Sequence, residues 1–318
     1  MRMKVGTTKE WIMVHTPLNI KFFFIVSNTY ICRDKGNENL SNSPKTRGFI
    51  PKYCFLSPKT RTGNKNYSAW TWCCNFAHRI KQETSMEQKR ITALGDSLTR
   101  GVVLNEEKNR YSILDNSFID IISETLGFDI KNYGKFGCTV DFGEQVIDRH
   151  AAEISASDYT FLEFGGNDCD FNWGKIADSP TDEHLPKTIL DSFKEKFSKL
   201  IQRVRELGSK PIIISLPPID SEYYFSFISR FMNGAQRENV FNWLGGDINV
   251  ISRWHEMYNR ALFEISRVMH TPIIDITTPF DKFQGAMRTL YCADGIHPNA
   301  EGHRLIAASI AGNSGILA

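Results

Sequence analysis

Ile91-Thr92-Ala93-Leu94-Gly95-Asp96-Ser97-Leu98 is the stretch on which the reading of the fold turns. A short apolar run stops at a glycine, and an acidic residue and a serine follow at once. The run has the length of a strand, and Gly-Asp-Ser is a turn that hands the chain to a helix. The same order recurs downstream. Phe128 to Tyr133 reads as a second strand, Tyr159 to Phe164 as a third, Pro211 to Leu216 as a fourth and Pro272 to Ile276 as a fifth. Helical patterns lie between them at Ser117 to Leu126, Asp141 to Ile154, Leu190 to Leu207, Trp254 to Val268 and Ala300 to Ala311. In the longest of the amphipathic ones, Leu190, Phe193, Phe197, Ile201, Val204 and Leu207 share a face and Gly208 closes the helix. Alternation of this kind predicts an α/β protein, a parallel sheet with helices on both faces. One segment interrupts it. Residues 219–250, rich in aromatic and turn residues, read as an insertion between the fourth strand and its helix.

Outside that pattern, composition is informative mainly by its unevenness. The chain has 318 residues, a net charge of +2, 41% hydrophobic and 23% charged residues. With 22 Gly, 12 Pro and 7 Cys it is neither collagen-like, nor of low complexity, nor a disulfide scaffold. Residues 1–85 hold 14 Lys and Arg against 4 Asp and Glu, a balance of +10. Residues 86–318 hold 24 against 32, a balance of −8. The leader's most apolar run, Phe22 to Val26, is far shorter than the roughly 18–20 residues of a membrane span. Lys21 interrupts it and no small-residue cleavage site follows, so no secretory signal is read and a cytoplasmic location is expected. Cys32, Cys54, Cys73 and Cys74 match no zinc template. The basic excess suits nucleic-acid or anionic-membrane contact, or a disordered or non-native leader. The expectation is the latter, with the domain opening at Met86. The acidic balance of residues 86–318 argues against a nucleic-acid partner for the domain.

In open parallel sheets, ligands bind beyond the carboxyl ends of the strands. Four positions there carry small and polar residues: Gly95-Asp96-Ser97-Leu98, Asn132 to Thr139, Gly165-Gly166-Asn167-Asp168, and Asp294-Gly295-Ile296-His297-Pro298-Asn299. They supply a hydroxyl, a carboxylate and an imidazole in the chain order Ser, Asp, His. A serine hydroxyl becomes a useful nucleophile when a base accepts its proton, and His297 can do that. Asp294 lies close enough on its loop to accept a hydrogen bond from the imidazole, fixing its tautomer and stabilising the imidazolium. The Ser97 and Gly137 amides and the Asn167 side chain are the natural donors for an oxyanion.

These four blocks, in this order, resemble the SGNH/GDSL superfamily of serine esterases and lipases. The first block is matched by Gly95 to Leu98, the glycine block by Gly137, the Gly-x-Asn-Asp block by Gly165 to Asp168, and the Asp-x-x-His block by Asp294 to His297. The resemblance covers residues 86–318 and none of 1–85. It implies a flavodoxin-like three-layer α/β/α sandwich with a parallel five-stranded sheet, and Ser97, Gly137, Asn167 and His297 as signature residues. The G-x-S-x-G elbow of α/β-hydrolases does not occur, which disfavours that fold.

Each residue also has a plainer reading. Ser97 is a suitable helix cap, Asn167 a turn former, and Asp96 and Asp168 are loop-bracing acceptors. His303 reads as helix surface or packing. Cys138, Cys169 and Cys292 neighbour the motifs, but they lack paired ligand spacing and read as buried free thiols of a reducing compartment. The insertion holds Tyr223, Tyr224, Phe225, Phe227, Phe231 and Trp243, with Trp254 and His255 close behind. Trp173, Tyr223, Tyr224 and Trp254 are the substrate-binding candidates; a lid packing on itself is the competing account. The expected activity is metal-independent, cofactor-free hydrolysis of carboxylic esters through an acyl-enzyme, on short-chain or acetyl esters of small molecules or carbohydrate. A lysophospholipase or acyl thioesterase is the rival within that class. A catalytically silent binding module is the rival outside it, and the intact Ser97, Asp294 and His297 argue against silence.

Overall fold

The computed structural model describes residues 10–14, 21–25 and 88–317. The chain divides into two units, Met1–Tyr67 and Ser68–Ala318. In the first, β1 (Glu10–Val14) pairs antiparallel with β2 (Lys21–Ile25), Glu10 opposite Ile25. No strand is expected there from the sequence, although both runs have strand length. The rest of the leader, with Cys32, Cys54, Cys73 and Cys74, lies outside the described residues.

The second unit runs β3 (Arg90–Gly95), α1 (Ser97–Arg100), β4 (Val102–Asn105), β5 (Arg110–Ile113), α2 (Phe118–Leu126) and β6 (Asp129–Asn132). It continues with α3 (Val140–Arg149), α4 (Ala151–Ser155), β7 (Tyr159–Glu163), α5 (Trp173–Asp178), α6 (Leu190–Glu206) and β8 (Lys210–Ile214). Last come α7 (Ser221–Ile228), α8 (Gly234–Trp243), α9 (Val250–Met269), β9 (Ile273–Ile274), α10 (Thr277–Asp281) and α11 (Ala300–Gly312).

Five strands form one parallel sheet in the order β6-β3-β7-β8-β9. Successive side chains of a strand point to opposite faces, and here both faces are covered. Ile91, Ala93, Phe161, Ile212 and Ile214 pack on one side against Phe118 and Ile122 of α2 and Ile306 and Ile310 of α11. Leu94, Leu162 and Ile213 pack on the other against α3, α6 and α9, through Ile147, Phe193, Phe197, Ile201 and Leu262. The result is a three-layer α/β/α sandwich. Central strand β7 is buried at every position, which explains its unbroken apolar character apart from its ends and Thr160.

Several details depart from the sequence reading. Residues 141–154 form two helices, because His150 leaves helical geometry at φ −123°, ψ 28° and its ring packs on Tyr133. The fifth strand shrinks to Ile273–Ile274. It is an edge strand paired only with β8, and the Asp275 side chain accepts the Thr277 and Thr278 amides, turning the chain into α10. α9 begins one turn earlier than Trp254, and the hairpin β4–β5 and helix α5 are not anticipated. The insertion folds into α7 and α8, which pack with α5 into a third cluster built around Phe171, Trp173, Tyr224, Phe225 and Val240. Among the described residues, no helix is long and apolar enough to cross a membrane.

Phe161 lies at the middle of β7 and is 1% exposed. Its replacement by Ala should lower stability by about 3–5 kcal/mol, measured by urea unfolding, because the sheet backbone prevents the cavity from collapsing.

Candidate active site

Ser97 is the first residue of α1, directly beyond β3. Asp96 caps that helix, its Oδ1 accepting the Leu98 amide at 2.9 Å. His297 comes from the turn that precedes α11, where Tyr291 bridges Pro298 and the Cys292 amide donates to the His297 carbonyl at 2.9 Å. This pinched turn sets Asp294 beside the imidazole. His297 Nδ1 is 2.7 Å from Asp294 Oδ2, and Nε2 is 2.9 Å from Ser97 Oγ. Asp294 Oδ1 accepts the amides of Ile296 and His297 at 3.2 and 3.1 Å. All three side chains are buried. Burial pushes the Asp294 carboxyl up, but the hydrogen bond and charge of His297 and the two amides outweigh it and hold it below its ordinary value. With Asp294 ionised, the proton belongs on Nδ1 and the Nε2 lone pair faces the serine.

Gly137, at φ 72°, and Asn167 line the same cavity as Ser97 and His297. Asn167 Nδ2 donates to Asp96 Oδ2 at 2.9 Å, so one carboxylate ties the serine turn to the asparagine. Glu163, at the end of β7 and 1% exposed, stands behind that pair. Its Oε2 accepts the Thr99 hydroxyl at 2.8 Å, the Thr99 amide at 3.3 Å and the Asp96 amide at 3.5 Å. Burial, and then the negative charge of Asp96, hold the Glu163 carboxyl well above its ordinary value. Asp168 braces its loop, with both oxygens accepting the Val140 amide at 3.1 and 3.2 Å. Burial raises its carboxyl to about 6 in spite of that amide.

The cavity measures about 270 Å³. Trp173 and Tyr224 are on its wall; Tyr223 and Trp254 are not. Neighbours on a helix point about 100° apart, which turns Tyr223 away where Tyr224 faces the cavity. Tyr223 instead lies under the Arg288 guanidinium, 4.6 Å away, and Trp254 packs between Phe171 and Trp243. Residues that the sequence reading does not nominate for the site are Tyr111 and Phe136, whose rings lie 5.1 and 5.9 Å from the His297 ring, Glu163, Asp170 and Lys187, and His255, which it notes only as close behind the insertion. Glu163 had a visible signal, a lone acid in an apolar strand. His303 is fully buried, stacked on Phe118. Cys138, Cys169 and Cys292 are free, and burial pushes all three thiols up, Cys292 to about 11. Among the described residues, no group of His, Cys, Asp and Glu is arranged to hold a metal ion.

The sequence profile of the GDSL-like Lipase/Acylhydrolase family matches residues 93–305, a span that holds all four blocks. The chain belongs to this family. It is therefore an SGNH/GDSL-type ester hydrolase, built on the sandwich that the strand order displays. "Uncharacterized lipoprotein YqeF" of Bacillus subtilis (strain 168) is 25% identical to this GDSL hydrolase over 238 residues, which cover 69% of the chain and 87% of that protein. The crystal structure of the lipase/acylhydrolase from Enterococcus faecalis is similar in fold, with a TM-score of 0.51 at 18% identity, over 71% of this chain and 95% of that one.

Glu163 binds its proton more tightly in the folded hydrolase than in the unfolded chain. Its stabilising effect is therefore fully present below its ordinary value of 4.5 and is lost as pH rises through the raised value. Glu163→Gln keeps an acceptor for Thr99 and cannot ionise, so the loss of stability towards alkaline pH should flatten. Urea midpoints from about pH 5 to about pH 9 check this, and a slope equal to that of the native protein would contradict it.

Proposed function

We propose that this GDSL hydrolase cleaves carboxylic esters of short acyl groups through an acyl-enzyme on Ser97. The observation that carries the reading is the buried relay from Asp294 through His297 to Ser97, at 2.7 and 2.9 Å, opening on a cavity. Ser97 Oγ attacks the ester carbonyl carbon while His297 Nε2 takes its proton, and Asp294 stabilises the imidazolium that results. Charge grows on the carbonyl oxygen, where the Ser97 and Gly137 amides and the second N–H of Asn167 serve as donors; the first is committed to Asp96. The imidazolium gives its proton to the departing alcohol oxygen as the C–O bond breaks. Water then attacks the acyl carbon while His297 takes its proton, and the imidazolium passes that proton to Ser97 Oγ as the acyl C–O bond breaks, releasing the acid and the free hydroxyl.

A cavity of about 270 Å³ lies below the roughly 300–1,000 Å³ of sites for drug-sized ligands, which favours acetyl and other short acyl groups. Trp173 and Tyr224 offer ring surface to a carbohydrate alcohol. One observation favours the lysophospholipase or thioesterase reading. Phe136 and Phe231 are 49% and 81% exposed, and the Arg230 guanidinium sits over both Phe227 and Phe231, an apolar and cationic rim suited to an amphiphile. A series of acyl chain lengths separates the two, since rising kcat/KM towards long chains would overturn the short-acyl reading.

Residues 1–85 are proposed to stand outside catalysis, so a chain opening at Met86 should retain its kcat/KM. The free thiols suit a reducing, cytoplasmic compartment. The lipoprotein named among its relatives speaks for an anchored one, and cell fractionation decides between them.

Ser97→Ala should lower kcat on p-nitrophenyl acetate by about a thousandfold or more, with the melting temperature preserved. Asp294→Asn leaves the shape intact but stabilises the wrong tautomer, and a loss of up to about 10⁴-fold is expected. Full activity in Ser97→Ala would sink the assignment.

A further inference from the structure

His255 is a buried imidazole that the relay does not use. It lies on α9 one turn after Ile251, and both residues line the catalytic cavity. The residue is 6% exposed, yet among the described residues neither ring nitrogen has a hydrogen-bond partner. His303 makes the contrast plain. Its Nδ1 accepts the Phe118 amide at 3.2 Å and its unpartnered Nε2 is sealed in the core, whereas His255 borders open space beside the nucleophile. Burial holds the His255 imidazole down at about 4, so the ring is neutral at physiological pH. A neutral imidazole presents one N–H donor and one lone pair, the complement of a hydroxyl group, which also donates once and accepts.

The other polar groups on that wall are already engaged with one another. Asp170 Oδ1 accepts Trp173 Nε1 at 2.8 Å and the Tyr224 hydroxyl at 2.7 Å, and Oδ2 accepts Lys187 Nζ at 2.9 Å. Trp173 and Tyr224 therefore offer the cavity ring surface rather than unspent donors. His255 keeps its hydrogen-bonding capacity. An alkyl group pressed against it would strip both nitrogens of water and return nothing, whereas a hydroxyl would satisfy the donor and the acceptor together.

We propose that His255 determines specificity at this site by binding a hydroxyl group of the substrate, so that hydroxylated esters are preferred to their plain alkyl counterparts. The inference rests on the ester-cleaving reading of Ser97 and names the substrate class for it. The hydroxyl has two possible sources, a polyol on the alcohol side or a hydroxyacyl group on the acid side.

Two matched pairs of esters distinguish them: ethyl acetate against a monoacetylated methyl glucoside, and ethyl butyrate against ethyl β-hydroxybutyrate. In the native hydrolase, kcat/KM should favour the hydroxylated member of at least one pair. His255→Leu should reduce that preference by about tenfold or more, and His255→Gln, which again offers a donor and an acceptor, should restore part of it. The pair that responds identifies the side on which the hydroxyl lies. The inference is overturned if the native enzyme prefers neither hydroxylated member, or if His255→Leu leaves the ratio within each pair unchanged. Labelling by a fluorophosphonate, run on the same samples, keeps the two readings apart. Native protein whose Ser97 neither labels nor cleaves any of the four esters refutes the serine esterase itself. Normal labelling and cleavage without a hydroxyl preference refutes only the role of His255.

Discussion

The active site depends on the pairing of β3 with β7. Their register sets Gly95 opposite Glu163, so both strands end at the same height and the serine turn emerges beside the loop that carries Asn167. A slip of one residue would turn every side chain of β3 to the other face, exchanging Leu94 with Ala93 between two differently shaped cores. Gly95 is what lets the ends close up. A methyl group there would sit 2.1 Å from Thr99 Oγ1 and 2.8 Å from the Glu163 carbonyl oxygen. Ser97 is thus held from two strands at once, by its own backbone and by the Thr99–Glu163 hydrogen bond.

That closeness brings acidic groups together, and their environments separate their roles. Burying a lone carboxylate costs far more than a single hydrogen bond returns. Asp294 meets an imidazole and two amides, which outweigh burial, and it stays ionised. Asp96 and Glu163 are adjacent and both are pushed up by burial, yet Asp96 has the Leu98 amide, the Asn167 amide and the attraction of His297 in its favour. Two buried carboxyls in contact do not both ionise cheaply, so the proton belongs on Glu163 and the charge on Asp96. A charged Asp96 grips Asn167 more firmly than a neutral one would, which fixes the orientation of the amide that faces the cavity. Glu163 therefore acts on Asn167 through its neighbour, from the buried side of the cavity that it helps to line.

The four motif blocks were legible because each is a local signal at the end of a strand, where backbone geometry leaves little freedom. The layered fold was legible from periodicity for the same reason. What escaped depends on rotation and tertiary contact. Trp254 stands out in the sequence as a large aromatic, but the turn of α9 sends it to Phe171 and Trp243 and brings the less conspicuous His255 to the cavity. Tyr223 and Tyr224 divide in the same way at α7. The strands of the hairpin β4–β5 have four residues each, so the alternation of Arg110-Tyr111-Ser112-Ile113 is too short to stand out as a period. Tyr111 of that hairpin nevertheless reaches the edge of the His297 ring, a contact that only the assembled fold creates.

The insertion packs both on itself and on Phe171 and Trp173, and Tyr224 and Phe227 of α7 also line the cavity. Its aromatic cluster orients Trp173 and Tyr224 through Asp170, and burial with the charge of Asp170 holds the Tyr224 phenol well above its ordinary value, so it remains a donor. At its other edge the insertion abuts the turn that carries His297. The Asp220 amide donates to the Gly295 carbonyl at 2.8 Å, and a Cβ on Gly295 would lie 2.6 Å from the Asp220 carbonyl oxygen and 2.8 Å from the Tyr224 amide nitrogen. Gly295 sits between Asp294 and His297 in sequence and at φ 72°, a conformation that other residues rarely adopt. The cavity wall and the loop that carries His297 are therefore packed backbone to backbone. A displacement of α7 would press on Gly295, the residue after Asp294, so on the proposed roles the cavity wall and the alignment of His297 are coupled.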